Sequence, residues 1–288
     1  MNNCFHPLIC PICKLPLQQI DRGLKCAQNH AFDIAREGYV NLLPSRKKLA
    51  ATVGDNAEML QARRRFLDAG HYAKLSQAIN QQVEVLIKSA NGQKQQTVIL
   101  DAGCGEGYYL GQLQTYLQSG TGSHCCLLGM DVSKTAVRYA AKKYRNGRFF
   151  VANINTLIPV ADQSVNILLN IFAPRNPAEF ERVLGENGRL LIIIPKPNHL
   201  QSIRAEFNLL QIETDKQENV INRLAAFFKL SHITTIEDSI SLTQQSLTDL
   251  IQMTPNAHHL TAADLAKLDK PGTFTTQIGF DIMQFIRH

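Results

Sequence analysis

Val98-Ile-Leu-Asp-Ala-Gly-Cys-Gly-Glu-Gly-Tyr-Tyr109 decides the fold. Three apolar residues and an acid have the length and bounding of a buried strand, and the helical period resumes at Tyr108. Between them Gly103, Gly105 and Gly107 can turn the chain tightly and leave room for a ligand lying on the backbone. The spacing is G-x-G-x-G with an acid at the strand end. A dinucleotide fingerprint needs G-x-G-x-x-G, and a phosphate loop needs Lys followed by Ser or Thr, so both are excluded. An acid beside such a loop suits a cationic ligand. S-adenosylmethionine carries an ammonium and a sulfonium, and it is the expected cofactor. Asp101 then serves the ammonium side, and Cys104, with no His partner beside it, packs rather than reacts.

Outward from this loop, strand-length apolar runs alternate with helix-length amphipathic segments. The expected strands are Thr97–Asp101, Cys126–Asp131, Arg148–Ala152, Val165–Ile171 and Gly188–Ile194, with helices at Tyr108–Leu117, Ser133–Lys143 and Ala178–Leu184. Helices near His199–Leu210 and Glu218–Leu230 follow, then strand-like runs at His232–Leu242 and Thr273–Ile286. Upstream, Asp55 offers an N-cap for a helix through Arg65, and Leu75, Ile79, Val83 and Ile87 form one face of a helix from Tyr72 to Lys88. The expected fold is α/β: a doubly wound, mostly parallel, seven-stranded Rossmann-like sheet of the class I methyltransferase type, with a small N-terminal zinc-binding module. Residues 1–45 form that module, 46–95 a helical connection and cofactor lid, and 96–288 the methyltransferase domain.

Asp131 ends the second strand, where a carboxylate can take both ribose hydroxyls. Asn153, just past the third strand, can meet the adenine edge. Ligands of open α/β sheets lie beyond the carboxyl ends of the strands, so Asn170 and Phe172 after the fourth strand are substrate candidates, Phe172 by stacking on a base. His199, after the fifth strand, can reach the cofactor carboxylate or the substrate. The stretch has no Pro-Cys pair, which disfavours transfer to a pyrimidine carbon, where a thiolate must first add. No general base is assigned.

Cys10-Pro-Ile-Cys13 and Cys26-Ala-Gln-Asn-His30 place four ligands on two tight turns twelve residues apart. That pattern suits a closed tetrahedral zinc site, which has no open coordination position and therefore serves structure. Seven cysteines, odd in number and unevenly placed, argue against a disulfide framework and for a reducing, cytoplasmic setting. The net charge of +6 fits a polyanionic partner. Arg22, Lys25 and Arg36 of the module, with Arg46, Lys47 and Lys48 after it, are candidate RNA contacts; Arg63-Arg64-Arg65 reads equally as RNA-facing or merely solvated. No run approaches the roughly 20 apolar residues that span a bilayer, and the first residues lack a secretion signal's basic-then-apolar order, so no membrane partner is expected.

Taken together, the Cys10, Cys13, Cys26, His30 module, Phe32-Asp-Ile-Ala-Arg-Glu-Gly-Tyr-Val-Asn-Leu-Leu-Pro44 and Gln61-Ala-Arg-Arg-Arg-Phe-Leu-Asp-Ala-Gly-His-Tyr72 resemble the RlmA family of 23S rRNA guanine-N1 methyltransferases. The resemblance continues through Asp101–Tyr109, Gly129-Met-Asp-Val-Ser-Lys134, Ala173-Pro174, His199-Leu200 and Gln252-Met-Thr-Pro255. It implies methylation of N1 of a guanine in the loop of helix 35 of 23S rRNA, by a homodimer whose zinc modules help grip the RNA, with guanine 745 favoured over 748. It also implies Tyr72, Glu106, Gly107 and His199 as cofactor contacts. Asn170 departs from the family pattern, where a basic residue is expected, and this shifts any role there toward the backbone. Two other functions share parts of this pattern. A quinone-type small-molecule methyltransferase would not need the zinc module, and a zinc-dependent RNA-binding assembly factor with a silent core would not need Asp101, the glycines or Asp131.

Overall fold

A computed structural model describes residues 4–44, 56–90, 96–120, 125–254, 268 and 272–288. The Arg46-Lys47-Lys48 run, Asp55 and Pro255 lie outside them. The N-terminal part is a three-stranded antiparallel ribbon, β1 (Gln18–Ile20), β2 (Gly23–Lys25) and β3 (Ala31–Asp33), followed by the short β4 (Val40–Asn41). Helices α1 (Ala57–Asp68) and α2 (Ala73–Ala90) lead into the alternating region. There β5 (Thr97–Ala102), α3 (Tyr108–Gly120), β6 (Cys125–Asp131), α4 (Lys134–Lys143), β7 (Arg148–Val151), β8 (Val165–Ile171), α5 (Pro177–Val183) and β9 (Leu184–Pro195) follow one another. The chain closes with α6 (Gln201–Glu206), α7 (Lys216–Leu224), β10 (Phe228–Thr243), α8 (Gln244–Gln252) and β11 (Thr273–Arg287).

The main sheet runs β10-β11-β9-β8-β5-β6-β7-β4. Strands β4 to β9 pair in parallel, while β11 is antiparallel to both β9 and β10. Alternation along each strand feeds two cores. Ile99, Leu127, Phe149, Leu169 and Leu191 enter one, with the apolar faces of α2, α3 and α4; Leu100, Leu128, Phe150, Leu168 and Leu190 enter the other. Both faces of the sheet are therefore buried, the condition that makes its strands read as continuous apolar runs.

The seven expected strands are present, and an eighth is added. No helix joins β7 to β8, so part of the second face has no cover from that connection. The N-terminal segment supplies it: Phe5, Leu8, Leu17, Leu24 and Leu42 pack in the same core as Phe150, Val160 and Leu168. Leu8 bridges Val160, Ile9 N–H donates to Pro159 O at 3.1 Å, and Val40 and Asn41 pair with Phe150 and Val151. The ribbon thus completes the sheet instead of hanging beside it.

Some local features differ from the sequence expectation. Asn56, not Asp55, caps α1, its Oδ1 accepting from Met59 N–H at 2.8 Å. The helix expected over His199–Leu210 is only Gln201–Glu206, because Asn208 takes a left-handed φ of 48° and Leu209 N–H closes onto Arg204 O. The helix expected to Leu230 stops at Leu224, and β10 begins at Phe228. Helix α8 was not anticipated, although Thr243 caps Ser246 and Leu247, Leu250 and Ile251 make an apolar face.

If the ribbon covers the sheet, emptying that contact must weaken the whole chain. Leu8→Ala should lower the free energy of urea unfolding, followed by far-ultraviolet circular dichroism, by about 2–5 kcal/mol. Ile12→Ala, at a residue 60% exposed, should change it by less than about 0.5 kcal/mol. An unchanged midpoint for Leu8→Ala would contradict the shared core.

Candidate functional site

Two turns bring the four metal ligands together. Lys14 and Asn29 adopt left-handed φ values of 62° and 66°, letting Lys14 N–H return to Cys10 O and Asn29 N–H to Cys26 O. The four ligand atoms all lie within 4.8 Å of one another. Cys13 and Cys26 sulfurs are 3.5 Å apart, and His30 Nδ1 stands 3.5 Å from Cys10 Sγ and 3.4 Å from Cys26 Sγ. A tetrahedral zinc with ordinary Zn–S and Zn–N bonds of about 2.3 and 2.0 Å requires edges of about 3.5–3.8 Å, so the set fits. Cys4 stands apart; it is buried and its carbonyl accepts from Cys126 Sγ.

At the carboxyl end of β5 a cavity of about 650 Å³ opens. Gly103, Gly105 and Gly107 have φ of 93°, 55° and 82°, conformations that side chains resist. A Cβ on Gly103 would stand 2.4 Å from Ala173 Cβ, so the loop and the segment after β8 touch only because that atom is missing. Asp131 Oδ2 accepts from Gly105 N–H at 2.9 Å and Oδ1 from Ser133 N–H at 2.8 Å, which ties the loop to the end of β6. A carboxylate has further lone-pair capacity for ribose hydroxyls.

Of the expected cofactor contacts, Tyr72, Asp101, Gly103, Gly105, Glu106, Asp131, Asn153 and His199 all line this cavity. Gly107 does not; it lies where a Cβ would strike Ala140 at 2.8 Å, so it lets α3 start close to α4. Asn153 Oδ1 accepts from Asn155 N–H at 2.9 Å and its backbone carbonyl from Thr156, which leaves its amide nitrogen at the cavity edge. Asp101 Oδ1, Glu106 Oε1 and Tyr109 OH are buried with no hydrogen-bond partner. Burial, with the Asp131 charge adding to it, pushes Asp101 up to about 8. Three polar atoms without partners around a glycine cradle fit a polar, cationic ligand such as S-adenosylmethionine.

Tyr72 and His199 form a pair that the chain brings together across 127 residues. Tyr72 OH lies 3.2 Å from His199 Nε2, and Gly279 N–H donates to His199 Nδ1 at 3.3 Å. Burial, then Arg204 and Lys216, pulls the imidazole down to about 3, so it is neutral near pH 7. With Nδ1 accepting, the ring proton sits on Nε2 and is given to Tyr72. The Tyr72 hydroxyl proton is then left for an acceptor in the cavity.

Helix α1 borders the site through the Arg63-Arg64-Arg65 run, and each arginine donates to another part of the chain. Arg63 donates to Met253 O at 2.9 Å, Arg64 to Glu106 at 2.9 Å and Arg65 to Asp249 at 2.6 Å. These bonds fasten α1 to α8 and to the glycine loop, while Arg63 also lines the cavity and the Arg65 side chain stays half exposed. The signal was present only as charge; the buried acids that answer it lie far away in sequence.

The two substrate candidates after β8 part company. Asn170 is fully buried and does not line the cavity; its amide donates to Ala102 O at 3.0 Å and Pro174 O at 2.9 Å, holding β5 and the loop after β8 in register. Phe172 lines the cavity, is 43% exposed and has a φ of 53°, an uncommon conformation for a bulky residue. It packs near Tyr109 and Phe280 with one face toward solvent. In the ribbon, Arg22 and Arg36 are exposed and Lys25 is half-buried. Arg36 borders a second, basic groove with Lys142, Arg145 and Arg148, away from the glycine loop. Sequence reasoning missed Arg175, Arg204 and Lys216, which also line the main cavity.

Comparison with known proteins agrees with this geometry. Residues 8–50 match the family model of the RlmA N-terminal zinc ribbon, and residues 93–233 match a methyltransferase domain. The chain is 33% identical to the 23S rRNA (guanine(748)-N(1))-methyltransferase of Streptomyces fradiae, covering 92% of this chain and 91% of that one. It is 36% identical to a Micromonospora griseorubida protein provisionally named 23S rRNA (guanine-N(1)-)-methyltransferase, covering 95% and 97%. Among solved structures, a SAM-dependent methyltransferase of Aquifex aeolicus aligns with a TM-score of 0.48 at 15% identity, covering 80% of this chain and 100% of that one. The cofactors are S-adenosylmethionine and a structural zinc ion. With a ribbon, a methyltransferase domain and full-length relatives in common, the chain belongs to the RlmA family of 23S rRNA (guanine-N1)-methyltransferases.

Proposed function

We propose that the protein methylates N1 of a guanine in the helix 35 loop of 23S rRNA. One observation carries this reading: the cavity joins an acid-lined glycine cradle to an exposed Phe172, in a chain aligned over 92% of its length with an enzyme named as a 23S rRNA (guanine(748)-N(1))-methyltransferase. Residues 1–45 would recognise RNA, 46–95 would cover the cofactor and 96–288 would carry the transfer, in a homodimer acting in the cytoplasm. Guanine 745 is the proposed target. The name of the Streptomyces fradiae relative favours guanine 748 as a second reading.

Asp101 and the Tyr72 hydroxyl would hold the two ends of the cofactor's amino acid, Asp131 its ribose and Asn153 its adenine edge. S-adenosylmethionine supplies a methyl group on a sulfonium sulfur. Cys10, Cys13, Cys26 and His30 would hold zinc, which cross-links the ribbon. Phe172 would stack on the target guanine and fix its plane. Among the described residues the cavity's carboxylates, Asp101, Glu106 and Asp131, belong to the end of β5, the cofactor loop and the end of β6, and His199 has both ring nitrogens engaged. No general base for the N1 proton is assigned among the described residues, and the protein's contribution is alignment.

Incubation of unmodified 23S rRNA with enzyme and S-adenosylmethionine should produce a reverse-transcription stop at one guanine of helix 35, its position separating 745 from 748. Recovery of labelled methyl only in protein or small molecules would overturn the assignment. The raised Asp101 adds a pH signature. Binding of the ammonium requires the carboxylate, so affinity should rise as pH increases from 6 toward about 8. In equilibrium dialysis, Asp101→Asn should bind more weakly and lose that rise; an equally steep profile in the variant would exclude Asp101 as the group responsible.

A further inference from the structure

The cavity is divided by charge. Among the described residues its acids come from the end of β5, the glycine loop and the end of β6, whereas Arg175 after β8, Arg204 in α6 and Lys216 at the start of α7 bring three cations to the same space. Among the described residues none of the three has a carboxylate within ion-pair distance. Arg204 is 5% exposed; its guanidinium donates only to the neutral oxygens of Pro197 and Gln211, and its Nε has no partner. Arg175 Nε is likewise buried without a partner, and Arg223 adds a positive charge by donating to Arg175 O at 2.8 Å.

The cations feel one another. Burial, then Arg223, lowers Arg175; burial lowers Arg204; burial, then Arg175, lowers Lys216, against a smaller opposing pull from Glu213. His199, which lines the same cavity, is depressed by burial and then by Arg204 and Lys216. Arg204 is buried and Arg175 and Lys216 are half-buried; partly desolvated cations without a paired carboxylate are costly, and an anionic ligand lowers that cost. The cofactor's one carboxylate is given above to the Tyr72 hydroxyl and its positive charges to the acidic side of the cavity, so the anion assigned to the three cations is one carried by the methyl acceptor.

We propose that Arg175, Arg204 and Lys216 form a pocket for a phosphodiester group of the methyl-accepting nucleotide, beside the base held on Phe172. This rests on the RNA reading above. The pocket would position the nucleotide through its backbone while Phe172 takes the base, a division of labour usual in nucleic-acid recognition. It also gives the loop after β8 two tasks, since Phe172 and Arg175 are three residues apart.

The test uses Arg175→Gln and Lys216→Gln in the full chain, with a helix 35 RNA hairpin and S-adenosylmethionine. Each variant should raise the RNA concentration for half-maximal rate about tenfold, as expected for a lost charged hydrogen bond, and reduce the salt dependence of RNA binding. Cofactor affinity should stay at the wild-type value, and Arg175→Lys should recover part of the loss. Unchanged RNA affinity would overturn the proposal, and so would a parallel loss of cofactor affinity, which would assign the cations to the cofactor carboxylate. If the wild-type protein methylates no RNA, the RNA reading fails by itself. Calorimetry on the S-adenosylhomocysteine-loaded protein then decides the pocket: tighter binding of guanosine monophosphate than of guanosine, lost in both variants, supports it, and equal binding overturns it.

Discussion

A parallel sheet buried on both faces must be covered on both, and here the connection from β7 to β8 carries no helix to do so. The rest of the structure depends on how that gap is filled. Leu8, Leu17, Leu24 and Leu42 occupy it, and β4 pairs along the edge of β7. A segment this short, with strands of two or three residues, cannot build a core alone. The metal ligands fix its turns and the sheet supplies its apolar partner. The ribbon and the methyltransferase domain are consequently one structural unit with two chemical ends.

At the other end of the sheet, charge organises the cavity. Asp101 and Glu106 are almost completely buried and keep unpartnered oxygens facing a glycine loop that only positive φ values permit. Arg64 satisfies one oxygen of Glu106, and through Arg63 and Arg65 the same helix reaches α8. Helix α1 is therefore held by hydrogen bonds to the elements it packs against. Asn170, buried between Ala102 and Pro174, keeps the two loops that face the reaction at a constant separation.

Much of this was legible in the sequence because it is local. The strand, glycine loop and helix start occupy Val98 to Tyr109, and the zinc ligands lie on two turns whose spacing is diagnostic. Asp131 and Phe172 follow from the rule that open α/β sheets bind ligands at strand ends, and both line the cavity. What escaped depends on long-range pairing. The fates of Arg63, Arg64 and Arg65 are decided by Met253, Glu106 and Asp249, none of them near in sequence. Asn170 looked substrate-facing because the carboxyl end of a strand usually is, but its amide is spent on Ala102 O and Pro174 O and it does not reach the cavity. Arg175, Arg204 and Lys216 come from three separate elements, and no spacing connects them.

Hydrogen exchange, compared between the zinc-loaded protein and the protein after chelation, tests the unity of ribbon and sheet most directly. Metal loss should remove amide protection in β6 and β7 as well as in residues 4–44, because the same side chains cover both. Loss confined to residues 4–44, with β6 and β7 protected as before, would contradict it.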